Sequence, residues 1–335
     1  MRIVALVDAA AVCADDPSFD GKTPASRAAM EGQVLEALRG LGHEVAVVPF
    51  GPDIEETLRA LKAPGIGLVF NLTEEFGGDR RKDLHVAALL ELLGLPYTGS
   101  TPTGLNLCRD KATCKRILGY HRIRVPAFVT LPVGTTRPPG RFRYPAIVKP
   151  LFEDGSEGIS LASVVRDAGE LRERAHGIHE RLKQPAICEE YIEGRELYVG
   201  IIGNHQLRAL PPRELIFGRS AEGGPRIATA RVKWDAAYRR KWDISCVHAE
   251  LPEKTGTEVA RAGKRIYRIL RISDYGRVDL RLTPANEIVF LEANPNPDLS
   301  REDEFAEAAE KAGIPYPQLI ERIVHLALKR AANES

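Results

Sequence analysis

Arg277-Val-Asp279-Leu-Arg281 and, after a turn, Ile288-Val-Phe-Leu-Glu292-Ala-Asn294-Pro-Asn296-Pro are the stretch on which the reading of this 335-residue chain depends. The first piece alternates charged and apolar residues with period two, as a strand with one wet face does. Thr283-Pro-Ala-Asn286 supplies a turn, and the second apolar run ends in Glu292-Ala-Asn294. Paired as a hairpin, the two strands would bring Asp279, Glu292 and Asn294 onto one polar face. Two carboxylates and an amide oxygen are hard ligands, suited to an octahedral Mg²⁺ ion that also holds nucleotide phosphates. Arg277 shares that face, placed to stabilise negative charge developing between metal and substrate. The same pattern also suits an edge hairpin with solvated charges, so the upstream chain has to decide.

Composition sets the frame. Apolar residues make up 44% and charged residues 28%, as in an ordinary globular protein with room for two or three domains. A net charge of +1 gives no field for nucleic acid or an anionic membrane. Five scattered cysteines without a CxxC pair fit a reduced, cytoplasmic protein and argue against zinc. Asp8 interrupts the apolar N-terminus, which reads as a first buried strand rather than a signal peptide. No apolar run is long enough to span a membrane.

Upstream, strand and helix alternate. Ile3–Val7, Val45–Pro49 and Ile66–Asn71 read as strands, with helices over Ser26–Leu41 and Ile54–Leu61 between them. That pace predicts a doubly wound parallel sheet. Asn71-Leu-Thr-Glu74-Glu75 sits past the carboxyl end of a strand, where such sheets take ligands, though it equally suits a polar loop capping a helix over Lys82–Leu93. A helix is expected over Asn106–Leu118, with Asp110-Lys111-Ala-Thr-Cys-Lys115 on it. Tyr144-Pro-Ala-Ile-Val-Lys149 reads as a strand ending in a lysine, followed by Glu153-Asp154-Gly155-Ser156-Glu157-Gly158. A small-residue loop offers open backbone N–H groups and the lysine a point charge, which together cradle phosphate.

Val164–Leu182 reads as a helix, then Ala186–Ile192 as a strand and Glu193–Ile202 as a turn and a central strand. The strand out of the small domain makes an adenine hinge, with Glu196 set for the ribose hydroxyls. Leu207–Ile216 is expected as one strand, its Pro211-Pro212 suggesting a sheet edge. Glu258–Leu270 is an amphipathic helix, and helices over Phe305–Ala312 and Gln318–Lys329 are placed to pack back on the sheet.

In this order the motifs resemble the ATP-grasp ligases of the D-alanine–D-alanine ligase type over nearly the whole chain. They are Tyr97-Thr-Gly-Ser100, Asp110-Lys111-Ala-Thr-Cys-Lys115, Ile147-Val-Lys149-Pro150, Glu189-Glu-Tyr-Ile-Glu-Gly-Arg-Glu196, Val232-Lys233-Trp234 and Arg277-Val-Asp279…Glu292-Ala-Asn294. The resemblance implies an α/β ATP-grasp fold, with an N-terminal parallel-sheet domain over 1–105, a small central subdomain over 106–188 and a C-terminal domain with the metal site over 189–335. It also implies an ATP-dependent carboxylate–amine ligase that works through an acyl phosphate. By the same resemblance, Lys111, Lys149, Gly155 and Ser156 would meet the phosphates, and Lys233 the transferring phosphoryl group. Glu189, Glu190, Ile192 and Glu196 would line the nucleotide pocket. Asp279, Glu292 and Asn294 would hold two Mg²⁺ ions, or Mn²⁺ in their place, and Arg277 would stabilise the intermediate. Small-molecule carboxylate and amine partners are implied, and a homodimer through the N-terminal domain is usual in the family.

The departures concern substrate. Gly21-Lys-Thr-Pro-Ala-Ser-Arg-Ala replaces a family loop that carries a glutamate, and Leu72–Asp79 replaces the family's His-Gly segment. Asp298 stands where the family has glycine and Asp303 where it has a serine that holds the second substrate's carboxylate. Asp298, Asp303 and Glu74 are therefore candidate substrate residues, favouring an amine that carries extra positive charge or lacks a free carboxylate over D-alanine; carboxylates at a helix start explain the acids equally well. A true D-alanine–D-alanine ligase and a nucleotide-binding regulatory protein are the other readings.

Overall fold

The computed structural model describes residues 1–9, 25–137, 142–153, 156–218, 227–229, 232 and 235–334. Among these, three sheets form. The first is parallel and follows from the N-terminal alternation: β1 (Arg2–Asp8), β2 (Glu44–Phe50) and β3 (Leu68–Asn71), in the order β2-β1-β3. Ile3, Ala5 and Val7 point to one face, where Val34, Leu35 and Leu38 of α1 (Ala25–Gly40) cover them. Val4 and Leu6 point to the other, against Leu61 of α2 (Ile54–Leu61) and Val86 and Leu90 of α3 (Asp83–Leu92). Burial on both faces explains the unbroken apolar run of β1.

The helix expected over Asn106–Leu118 is two helices, α4 (Pro102–Arg109) and α5 (Lys111–Tyr120). Asp110 between them is extended, and its Oδ1 accepts hydrogen bonds from the Ala112 and Thr113 N–H groups, both at 2.9 Å. An aspartate that caps the second helix ends the first.

The second sheet is antiparallel and runs β4-β7-β5-β6, from β4 (Phe128–Leu131), β5 (Ala146–Pro150), β6 (Val164–Val165) and β7 (Ala186–Glu190). Val164 and Val165, expected as the start of a helix, pair with β5 instead; the helix α6 (Ala168–Leu182) starts after its N-cap, Asp167. Ala146, Val148, Ala186 and Cys188 face Leu171, Ala175 and Ile178 of α6. By strand alternation, Ile147, Lys149, Ile187 and Glu189 point the other way.

The third sheet runs β11-β10-β8-β12-β13, with β9 (Arg208–Ala209) added on β8. Its strands are β8 (Arg195–Ile202), β10 (Arg213–Phe217), β11 (Ile244–His248), β12 (Tyr275–Leu282) and β13 (Ile288–Asn294). The single strand expected over Leu207–Ile216 is split in two by Pro211 and Pro212, and β10 is no edge, since it pairs with both β8 and β11. Helix α7 (Ala236–Trp242) precedes β11. Leu197, Val199, Ile201, Val278 and Leu280 form the back face, covered by Val259, Ile266 and Tyr267 of α8 (Glu253–Ile269) and by Leu118. The front face therefore carries Glu196, Tyr198, Arg277, Asp279 and Arg281.

Helices α9 (Glu304–Lys311) and α10 (Tyr316–Glu334) return to the α1 side of the parallel sheet, where Phe305, Leu319, Ile320 and Ile323 join its core. Among the described residues no helix is long and apolar enough to cross a membrane.

Candidate active site

A cleft lies between the two antiparallel sheets. The small sheet lines it with Ile147, Lys149 and Glu189, the large one with Glu196, Asp279, Arg281, Leu291 and Glu292, and Glu190–Ile192 join the two. Ile147, Val164 and Ile227 form an apolar cluster there, with Ile159 and Tyr191 packed against it. One end of the cleft is thus greasy and the other charged, which suits a molecule with a flat apolar part and an anionic tail.

The charged end is a set of internal pairs. Lys149 Nζ lies 3.1 Å from Glu189 Oε2 and is protonated: burial opposes its charge, and Glu189 outweighs that. Glu189 is fully buried, yet Lys115 and then Lys149 overcome the cost of burial and hold its carboxyl at about 2. Arg281 pairs with Glu196 at 2.9 Å, and the Tyr198 hydroxyl donates to the same carboxylate at 3.0 Å. Lys111 Nζ lies 3.6 Å from Glu292 and also donates to the Glu153 carbonyl. Ser156 lines the cleft with a left-handed backbone (φ 64°). The Glu190 N–H is taken by the Ala127 carbonyl (2.8 Å) and the Tyr191 N–H by that of Pro145 (3.2 Å). Those two N–H groups are thus committed to the neighbouring backbone, and Ile192 lines the cleft beside them.

On the large sheet, Asp279 stands opposite Glu292 and Arg277 opposite Asn294, all on the front face. Arg277 grips Asp279 with two hydrogen bonds, Nε to Oδ1 at 2.8 Å and Nη2 to Oδ2 at 3.1 Å, and reaches Glu304 through Nη1 at 3.3 Å. Its guanidinium lies 4.9 Å over the Tyr198 ring. Burial works against its charge, but Asp279 and Glu304 raise its pKa further. Asn294 Oδ1 accepts from the Asn296 N–H at 3.1 Å. Among the described residues no three His, Cys, Asp or Glu side chains converge as a metal cage. The donor set fits a hard cation that brings oxygens of its own, as Mg²⁺ does when it arrives with phosphates and water.

Asp298 feels the charge of Glu74, and Asp303 that of Asp298. Burial raises the Asp298 carboxyl, and Glu74 and Glu304 add to it; burial also raises Asp303, with Glu304 and Asp298 adding. Both aspartates have structural duties: Asp303 is the N-cap of α9, and Asp298 Oδ1 accepts from the Ser300 N–H and hydroxyl. Glu74 anchors its N–H on Asp8 Oδ2 at 3.1 Å. Lys233 and Gly155 lie outside the described residues. Two residues quoted in motifs but given no role prove central. Arg281 follows Arg277 and Asp279 at period two, and Lys115 follows Lys111 at i+4 on one helix face. Those spacings were the available signals.

Comparison with known proteins decides the family. The family model "D-ala D-ala ligase C-terminus" matches residues 136–325. The chain belongs to the D-alanine–D-alanine ligase-like family of ATP-grasp enzymes. An uncharacterized protein of Sinorhizobium fredii, y4sG, is 33% identical over 302 residues, covering 89% of this chain and 87% of that protein. The D-alanine–D-alanine ligase of Gluconobacter oxydans is 29% identical over 297 residues, covering 88% of this chain and 92% of the relative. Among solved structures, the D-alanine–D-alanine ligase of Bacillus anthracis complexed with ATP superposes with a TM-score of 0.76 at 22% identity, each chain covered in full. The fold is therefore the ATP-grasp fold, and the protein is an ATP-dependent ligase of this type, forming C–N bonds.

Proposed function

We propose that this ligase joins a small carboxylate to a small cationic amine, with ATP bound between the two antiparallel sheets. The observation that carries the nucleotide reading is the pairing within the cleft. Four of the five acids lining it already have a cationic partner: Glu189 has Lys149, Glu292 has Lys111, Glu196 has Arg281 and Asp279 has Arg277. A nucleotide carrying a divalent ion exchanges partners within this set at little electrostatic cost, its phosphates taking Lys149 and Lys111 and its ion the carboxylates. Bound Mg²⁺, held by Asp279, Glu292 and Asn294, supplies neutralisation of phosphate oxygens.

The base packs on Ile147, Ile159, Tyr191 and Ile227, and Glu196 meets the ribose. An oxygen of the carboxylate substrate attacks the γ-phosphorus, the bond to ADP breaks, and an acyl phosphate forms. The amine then attacks the acyl carbon, phosphate leaves, and the nitrogen gives up a proton to complete the amide. Arg277 stabilises the tetrahedral oxyanion between these events. Its pairs with Asp279 and Glu304 fix its orientation before substrate arrives.

The acceptor reading rests on the ground next to Arg277. Asp298, Asp303 and Glu304 crowd together there, burial and mutual repulsion opposing the charge of both aspartates until a cation arrives, and an adjoining cavity is lined by Glu302, Glu304 and Glu307 together with Arg213, Arg239 and Arg240. An amine with additional positive charge is stabilised there, whereas a plain amino-acid carboxylate meets like charge. A second reading, D-alanine in both positions, is favoured by the relatives named D-alanine–D-alanine ligase. ADP release with Mg²⁺-ATP across amino acids, singly and in pairs, with product masses, separates the two. A pair-dependent signal with a basic amine supports the first reading, and full turnover on D-alanine alone with dipeptide formed overturns it. ATP binding without turnover on any pair points to a nucleotide-binding regulatory protein.

A further inference from the structure

Lys115 is 1% exposed and lies behind the residues that line the cleft. Its ammonium group nevertheless joins both sheets. Nζ is 2.9 Å from Glu189 Oε1 on the small sheet and donates at 2.8 Å to the Leu291 carbonyl on the large one. It also sits 5.5 Å from the centre of the Phe290 ring. The pairing of β12 with β13 shifts register between Asp279 and Leu280, so that Leu291 is the extra residue on β13, immediately before Glu292. Lys115 therefore secures the bulge that aims Glu292 at Asp279.

The charge count is the second consequence. Lys115 and Lys149 share one carboxylate, Glu189, whose two oxygens lie 2.9 Å and 3.1 Å from the respective ammonium groups. Two cations and one anion leave a net positive charge, and of the two lysines only Lys149 lines the cleft. If Glu189 belonged to Lys149 alone, the pair would be neutral and its pull on a phosphate weak.

We propose that Lys115 is a positioning residue that keeps Lys149 available to phosphate by sharing Glu189. This rests on the nucleotide reading of the cleft. The mechanism predicts selectivity: losing Lys115 harms recognition of the triphosphate and spares the base and ribose.

Calorimetric titration of the full-length protein with Mg²⁺-ATP and, separately, with adenosine tests it. In Lys115→Met, Mg²⁺-ATP affinity is expected to fall about tenfold, with adenosine affinity within about twofold of wild type. The double variant Lys115→Met/Glu189→Gln removes the shared anion as well and leaves Lys149 unpaired. Its preference for ATP over adenosine is expected to return to within about threefold of wild type. The double variant also avoids a buried carboxylate with too few partners, so it tests the idea even where the single variant folds poorly. Equal losses for both ligands, an unchanged ATP affinity in Lys115→Met, or no recovery in the double variant would each overturn the proposal. A wild type that binds neither ligand overturns the nucleotide reading and this inference with it; tight wild-type binding with an unaltered preference in Lys115→Met overturns the inference alone.

Discussion

Asp279 and Glu292 face each other in register across the β12–β13 hairpin, one residue before its pairing slips by a bulge. Carboxylates opposed on adjacent strands repel. Here each has a cation at hand: Arg277 on Asp279 at 2.8 Å and Lys111 near Glu292 at 3.6 Å. Repulsion held in check by protein cations is what a divalent ion would relieve more directly.

Asp279→Asn and Glu292→Gln should therefore raise the Mg²⁺ concentration needed for half-maximal ATP turnover. Losing an outer partner of a metal ligand already costs about 10- to 100-fold in affinity or activity, and a direct ligand should cost at least that. Mg²⁺ titrations of ADP release at saturating ATP make the measurement. An unchanged Mg²⁺ requirement in both variants would remove the hairpin from the metal site.

Glu189 links pH to stability. Its carboxyl lies at about 2 in the folded protein against an ordinary 4.5, so the folded state favours its ionised form. The stabilisation is complete above pH 4.5 and is lost as pH falls towards 2. It amounts to on the order of 3 kcal/mol. Urea unfolding should show Glu189→Gln well below wild type at pH 7, with the gap narrowing at pH 3. A gap that stays constant with pH would mean that the ion pairs do not set the difference.

Much of this was legible in the chain because strand alternation has only two phases. Once Arg277, Asp279 and Arg281 are placed on one face, Glu292 and Asn294 follow from the turn, and the observed register agrees. The bulge at Leu291 left no signal, since it depends on what β13 packs against. The break at Asp110 did leave one: aspartate followed by Lys-Ala-Thr is an N-cap pattern, hidden by the helical character on both sides. Val164 and Val165 show tertiary pairing overriding a helical window, although Asp167 marked the true start. Lys115 was visible as sharing a face with Lys111, but its two partners come from 74 and 176 positions downstream. Contacts at such range are set by how sheets stack.

The same long-range logic governs Asp274 and Arg330. Arg330 Nη2 lies 3.1 Å from Asp274 Oδ2 and donates to the Tyr97 carbonyl at 2.7 Å and that of Gly99 at 3.1 Å, tying α10 to the Tyr97-Thr-Gly-Ser100 turn. Asp274 is fully buried; that burial raises its pKa, and Arg330 counters it. Arg330→Met leaves an undercompensated charge inside and should cost about 3–5 kcal/mol. Arg330→Met/Asp274→Asn should cost clearly less than the sum of the two single changes, as residues in one network do. Urea unfolding of the four proteins gives the coupling directly; additive costs would show that the pair does not act as a unit.

Arg277 offers the sharpest kinetic test. Its planar fork reaches both oxygens of Asp279 while a third nitrogen meets Glu304 and the face of the group stacks on Tyr198. A lysine keeps the charge but has one donor centre, so it cannot hold Asp279 and offer an aimed N–H to an oxyanion at once. Arg277→Lys should lower kcat by about 100- to 1000-fold, the loss expected when one preorganised oxyanion donor is removed. ATP affinity should change little, because the proposed base, ribose and phosphate contacts are Ile147, Glu196 and Lys149. Single-turnover rates beside equilibrium ATP binding separate the two quantities. A variant that loses ATP binding but turns over normally once saturated would place Arg277 on the nucleotide and take it away from the intermediate.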